Sequence, residues 1–126
     1  MTQRKVVAVV DDDPSTLRGI ERLLNAKGFD AETFHSAEAF LSGEAASRAI
    51  CLVLDIDLGG MSGIDLRHRL AASGSKLPVI FITAVDDDAT LREATEAGCI
   101  ACLRKPFPAH SLISAIDKCA GAAGNP

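Results

Sequence analysis

Along the chain, short runs of consecutive apolar residues alternate with stretches where apolar residues recur every three or four positions. KVVAVV (5–10) is apolar and β-branched throughout, which predicts a strand covered on both faces. Asp13-Pro14 then reads as a helix N-cap followed by proline at the first helical position. Leu17, Ile20, Leu23 and Leu24 give helical spacing, and Gly28 after Lys27 supplies the stop. A weaker strand is expected at 31–34. Ser36 caps a short helix carrying Ala37, Phe40 and Leu41. A second wholly apolar run covers 50–54. After the loop DIDLGGMSG, a helix carries Ile64, Leu66 and Leu70 and ends near Gly74. Pro78 introduces VIFIT (79–83), and Asp86–Asp88 open a helix with Leu91 and Ala94 inward, closed by Gly98. A last strand is expected over 99–103, broken by Lys105-Pro106. A final helix follows from Ala109 to about Cys119, carrying Leu112, Ile113 and Ile116.

This alternation predicts an α/β fold, (βα)5, with a five-stranded parallel sheet covered by helices on both faces. The doubly wound strand order 2-1-3-4-5 accommodates five such units. The 126 residues suit one domain, expected to fill 1–120, with GAAGNP (121–126) a tail or the start of a linker.

Charge and composition remove several classes. The net charge is −4 and no Lys/Arg cluster stands out, so direct nucleic-acid binding is not expected. MTQRKVVAVV holds too short an apolar stretch for a signal peptide, and no run approaches a membrane span, so the chain is expected in the cytoplasm. Cys99-Ile-Ala-Cys102 has the C-x-x-C form, but residues three apart on a strand point to opposite faces. With no second pair at zinc spacing, these two cysteines, Cys51 and Cys119 are all read as small buried hydrophobes. His35, His68 and His110 share no ligand spacing and are expected at the surface.

Candidate chemistry comes from where the strands end. In a doubly wound sheet, ligands bind beyond the carboxyl ends of the strands, where the order reverses. Strand 1 ends at Asp11-Asp12, strand 3 at Asp55, strand 4 at Thr83 and strand 5 near Lys105. Three carboxylates in one crevice raise each other's pKa unless a cation shares them. Hard oxygen ligands with room for water and phosphate describe a Mg²⁺ site. With a carboxylate nucleophile, a hydroxyl and a lysine, such a crevice can hold and accept a phosphoryl group. Each residue alone has a plainer reading: a capping turn for Asp11–Asp13, a turn for Asp55, an ordinary strand position for Thr83, a solvated side chain for Lys105. Their shared sheet edge is what points to chemistry.

These residues resemble the response regulator receiver domain, CheY-like in fold, over nearly the whole chain. The signature is the acidic pair Asp11-Asp12, then Asp55, then Thr83-Ala84, then Lys105-Pro106-Phe107. The resemblance implies that Asp55 accepts a phosphoryl group from a phosphohistidine on a sensor histidine kinase or phosphotransfer protein. It implies direct Mg²⁺ ligation by Asp12, Asp55 and the Asp57 backbone carbonyl, with Asp11 acting mainly through water. Thr83 would turn to hydrogen-bond the phosphoryl group, Lys105 would pair with it, and the Lys105-Pro106 bond would be cis. Output would pass through the fourth helix, fifth strand and fifth helix, to a homodimer partner or an output domain in a longer chain.

The chain departs from the family at several points. Gly59, beside Gly60, replaces the usual proline four residues after the acceptor, which predicts a more mobile loop. Cys102 stands where many members carry an aromatic that rotates inward. Asp57 and Val85 occupy the positions that tune hydrolysis in the family. Two alternatives stay open on the sequence. One is a haloacid-dehalogenase-like phosphatase, in which DID supplies a nucleophile and a general acid, VIFIT the threonine and Lys105 the lysine. The other is a receiver-shaped interaction module that works without phosphorylation.

Overall fold

A computed structural model describes residues 4–124 apart from Asp86; of residues 120–124 it describes the backbone alone. The apolar runs form β1 (Val6–Val10), β2 (Asp30–Phe34), β3 (Cys51–Asp55), β4 (Val79–Thr83) and β5 (Ala101–Arg104). They make one sheet of order β2-β1-β3-β4-β5, parallel at every pairing, as the strand–helix alternation predicts. The three central strands are buried almost end to end, which explains why their sequences are apolar at every position before the closing Asp55 of β3 and Thr83 of β4.

The helices are α1 (Pro14–Ala26), α2 (Ala37–Leu41), α3 (Ala45–Arg48), α4 (Gly63–Ala72), α5 (Asp88–Ala97) and α6 (Ala109–Gly124). The short α3 is absent from the periodicity reading, because four residues cannot display a helical repeat. The predicted fourth and fifth helices are therefore α5 and α6. The stretch expected as a tail continues α6 as far as Gly124, while Asn125 and Pro126 lie outside the described residues.

Alternate strand residues feed two cores. Val7, Val9, Val53, Ile80 and Ile82 pack with Ile20 and Leu24 of α1 and Leu112 and Ile116 of α6. Ala8, Val10, Leu52, Leu54 and Phe81 pack on the other face with Phe40, Leu66, Leu70 and Ala94 from α2, α4 and α5. This is the double winding that leaves the carboxyl edge of the sheet open.

Caps fix the chain where it leaves that edge. Asp13 accepts from the Ser15 N–H at 3.0 Å and hydroxyl at 2.9 Å, with Pro14 opening α1. Ser62 accepts from the Asp65 N–H at 3.1 Å to start α4. Asp87 accepts from the Ala89 N–H at 2.9 Å to start α5, so of the acidic run 86–88 it is Asp87 that caps; Asp86 lies outside the described residues.

The C-x-x-C reading needs correction. Cys99 precedes β5, and both Cys99 and Cys102 pack against the same core cluster. The bend at Ile100, between the two cysteines, breaks the extended path on which the opposite-face rule depends. Both thiols are half-buried, whereas Cys51 and Cys119 are buried together between β3 and α6. The three histidines are exposed. Among the described residues, no helix is long and apolar enough to cross a membrane.

Candidate phosphoacceptor site

Parallel register delivers the acids to one place. Val10 pairs with Leu54, so Asp11 and Asp55 leave adjacent strands side by side. Carboxylate oxygens of Asp11, Asp12 and Asp55 lie within 4.8 Å of one another. Asp11, Asp55 and Thr83 are 0%, 3% and 0% exposed and are the buried polar side chains of the described residues, while Asp12 is exposed. Groups of this kind are costly to bury and call for partners.

Lys105 is the partner. Its Nζ donates to Asp11 Oδ2 at 2.8 Å and to Asp55 Oδ2 at 3.1 Å, bridging two carboxylates that would otherwise repel. The Lys105 backbone N–H donates to the Thr83 carbonyl at 2.7 Å, and the Lys105-Pro106 peptide is cis, as expected. The remaining lobes are also used. Asp11 Oδ1 accepts from the Asp13 N–H at 2.9 Å, and Asp55 Oδ1 accepts from the Asp57 N–H at 2.9 Å.

Burial pushes the Asp55 carboxyl up to about 6; the Asp11 charge adds to this, against the Asp57 N–H and Lys105. Burial works against the charge on Lys105, but its bonds to Asp11 and Asp55 outweigh it and hold its pKa above the usual lysine value. Asp55 is therefore a buried carboxylate kept available by one cation and one N–H.

Thr83 lies on the other side of Asp55. Its hydroxyl donates to Asp57 Oδ2 at 3.2 Å and accepts from the Val85 N–H at 3.0 Å. The sequence reading assigned Asp57 only a backbone carbonyl and a tuning position, and missed this contact. Asp57, which the phosphatase alternative casts as a general acid, has its carboxylate engaged by Thr83.

Gly63 was also missed. It opens α4 with its N–H on the Ile56 carbonyl at 3.0 Å, closing the loop that follows Asp55. A Cβ there would overlap the Asp55 carbonyl oxygen and come within 3.0 Å of Ile56 Cα. A glycine at the first turn of a helix, directly after a serine cap, is the signal that could have found it. Gly60 takes φ +113°, a turn that favours glycine, whereas a Cβ on Gly59 would meet open space.

A cavity of about 560 Å³ lies at the opposite edge of the sheet, lined by Ala46, Ile50, Ser73, Lys76 and Pro78, and contains none of the clustered acids. The site is a crevice at the order reversal between β1 and β3, as the topology requires.

Residues 7–117 match the family model described as the response regulator receiver domain. The response regulator protein TmoT of Ectopseudomonas mendocina is 36% identical over 114 residues, covering 90% of this chain and 52% of that protein. TodT of Pseudomonas putida, also a response regulator protein, is 34% identical over 111 residues, covering 88% of this chain and 49% of that protein. The solved structure of the response regulator StyR superposes with a TM-score of 0.83 at 43% identity, covering 92% of this chain and 59% of that one. The chain thus spans about half the length of the curated relatives it matches. With the sheet order, the acid cluster and these matches in agreement, the chain belongs to the response regulator receiver domain family.

Proposed function

We propose that this receiver domain is a phosphoacceptor that takes a phosphoryl group on Asp55 from a sensor histidine kinase or a histidine phosphotransfer protein. The observation that carries this reading is the Lys105 ammonium bridging Asp11 and Asp55 inside a cluster of three carboxylates. An Asp55 oxygen attacks phosphorus in line, the phosphorus–nitrogen bond of the phosphohistidine breaks, and the imidazole leaves with the bonding pair. Lys105 then follows the negative charge from the carboxylate to the phosphoryl oxygens, and the Thr83 hydroxyl turns to donate to one of them. Catalysis by the chain is confined to this self-directed transfer and to loss of the group by hydrolysis.

The donor set fits Mg²⁺, since all three clustered groups are hard oxygen ligands and none is a thiol or imidazole. Asp12 and Asp55 would hold it, with the Asp57 carbonyl, and Asp11 through water. When bound, it supplies positive charge to the phosphoryl oxygens. The phosphorylated domain changes its affinity for a partner, a second copy or an output domain, through the face made by α5, β5 and α6. The cytoplasm, where such kinases present their phosphohistidine, is the proposed location.

Incubation with Mg²⁺ and a small acyl-phosphate donor, followed by intact mass, tests the assignment. The wild-type chain is expected to gain one phosphoryl group and Asp55→Asn none. A gain that survives Asp55→Asn would move the acceptor elsewhere.

A further inference from the structure

Thr83 has one hydroxyl proton to give, and it is given to Asp57 Oδ2 at 3.2 Å. Its oxygen accepts from the Val85 N–H at 3.0 Å, and the residue is fully buried. That proton cannot serve an oxygen on Asp55 while it serves Asp57. Asp57 is itself tied to the acceptor by its own N–H on Asp55 Oδ1 at 2.9 Å. One exposed residue thus grips the acceptor with its backbone and the switching hydroxyl with its side chain.

We propose that the Asp57 carboxylate is a latch that holds the Thr83 hydroxyl off Asp55 in the resting chain. The proposal rests on the phosphoacceptor reading of Asp55. Phosphorylation then exchanges one anionic acceptor of the Thr83 proton for another, and only the difference between the two drives the switch. Asp57 is a positioning residue: it forms and breaks no covalent bond, and its effect passes through Thr83. A simpler role, in which its charge merely repels an incoming phosphoryl group, makes different demands. Charge repulsion is relieved equally by Asn and Ala and does not need the Thr83 hydroxyl. A latch is weakened by Asn, whose amide oxygen still accepts as a neutral group, and abolished by Ala.

The test is a double-mutant cycle. Asp57→Asn and Asp57→Ala are made with Thr83 intact and with Thr83→Val. Phosphorylation by a small acyl phosphate is followed by intact mass at saturating Mg²⁺. With Thr83 present, Asp57→Ala is expected to speed phosphorylation about fivefold and Asp57→Asn about twofold. With Thr83→Val, both gains disappear. In a wild-type chain that does gain a phosphoryl group, equal gains in the two backgrounds, or no gain in either, would overturn the latch.

A second measurement does not depend on phosphorylation. In the resting protein, the Thr83 methyl resonance should move in Asp57→Ala, with a smaller displacement in Asp57→Asn. An unmoved resonance overturns the latch. The graded displacement in the two variants, together with a wild-type chain that gains no phosphoryl group, would instead support the latch and sink the phosphoacceptor reading.

Discussion

β3 ends in Asp55 and β5 is followed directly by Lys105, two charged side chains of the same cluster, yet one strand is central and buried at all five positions and the other is an edge strand half open to solvent. Asp55 has a short side chain, so its carboxylate goes where the backbone puts it. That backbone is held between β1 and β4, and the loop beyond it is closed by Gly63 against Ile56. Lys105 has four rotatable side-chain bonds and reaches in from a less confined strand. The Asp55 carboxylate therefore depends on backbone placement, while the Lys105 ammonium depends more on side-chain reach. The central place of β3 and the edge place of β5 in the sheet set that difference in packing.

The largest test of this contrast is Gly63→Ala. The added methyl would strike backbone of Asp55 and Ile56, which cannot rotate out of the way. A loss of about 3 kcal/mol is expected, read as a lower denaturation midpoint in urea at unchanged slope. A loss below about 1 kcal/mol would mean that α4 shifts freely and that the exit of β3 is not held as described.

The next test is electrostatic, on the metal-free chain with chelator present. Burial holds the folded Asp55 carboxyl up at about 6, above the usual 3.8 of the unfolded chain. Its contribution to stability is thus full below about pH 4 and lost as pH rises through about 6. Asp55→Asn, which does not titrate, should match the wild type in acid and exceed it at pH 8. The full shift would correspond to about 3 kcal/mol; the loss of one Lys105 partner in Asp55→Asn reduces the expected gain to about 1 kcal/mol. Thermal melts between pH 4 and pH 8 would show it. A difference independent of pH would remove burial as the source of the shift.

The smallest effect belongs to β5. Cys102→Ala at this half-exposed edge should cost less than about 1 kcal/mol, because the site can collapse and water can enter. A larger loss would make the edge strand as tightly packed as the centre.

Much of the fold was legible because burial on both faces leaves an unmistakable apolar run. β1, β3 and β4 are of this kind, and their predicted and observed positions agree to within one residue at either end. The site residues were legible for the same reason: polar groups directly after buried runs stand out. What was hidden depends on contacts across the chain. The placement of Cys99 and Cys102 on one face follows from a bend before β5, and α3 is too short for periodicity to register. The bond from Thr83 to Asp57 joins residues 26 apart, and no local spacing announces it.

The sequence by itself determined the alternation of strands and helices, the parallel sheet, and the residues that end each strand. These depend on local periodicity and on rules of chain connection, which any such sequence obeys. Only the tertiary structure decided how those ends engage: that Lys105 bridges Asp11 and Asp55, that the Thr83 proton rests on Asp57, and that Gly63 sits where no side chain fits. Those facts are set by distances of about one hydrogen bond, and such distances exist only once separate strands are packed side by side.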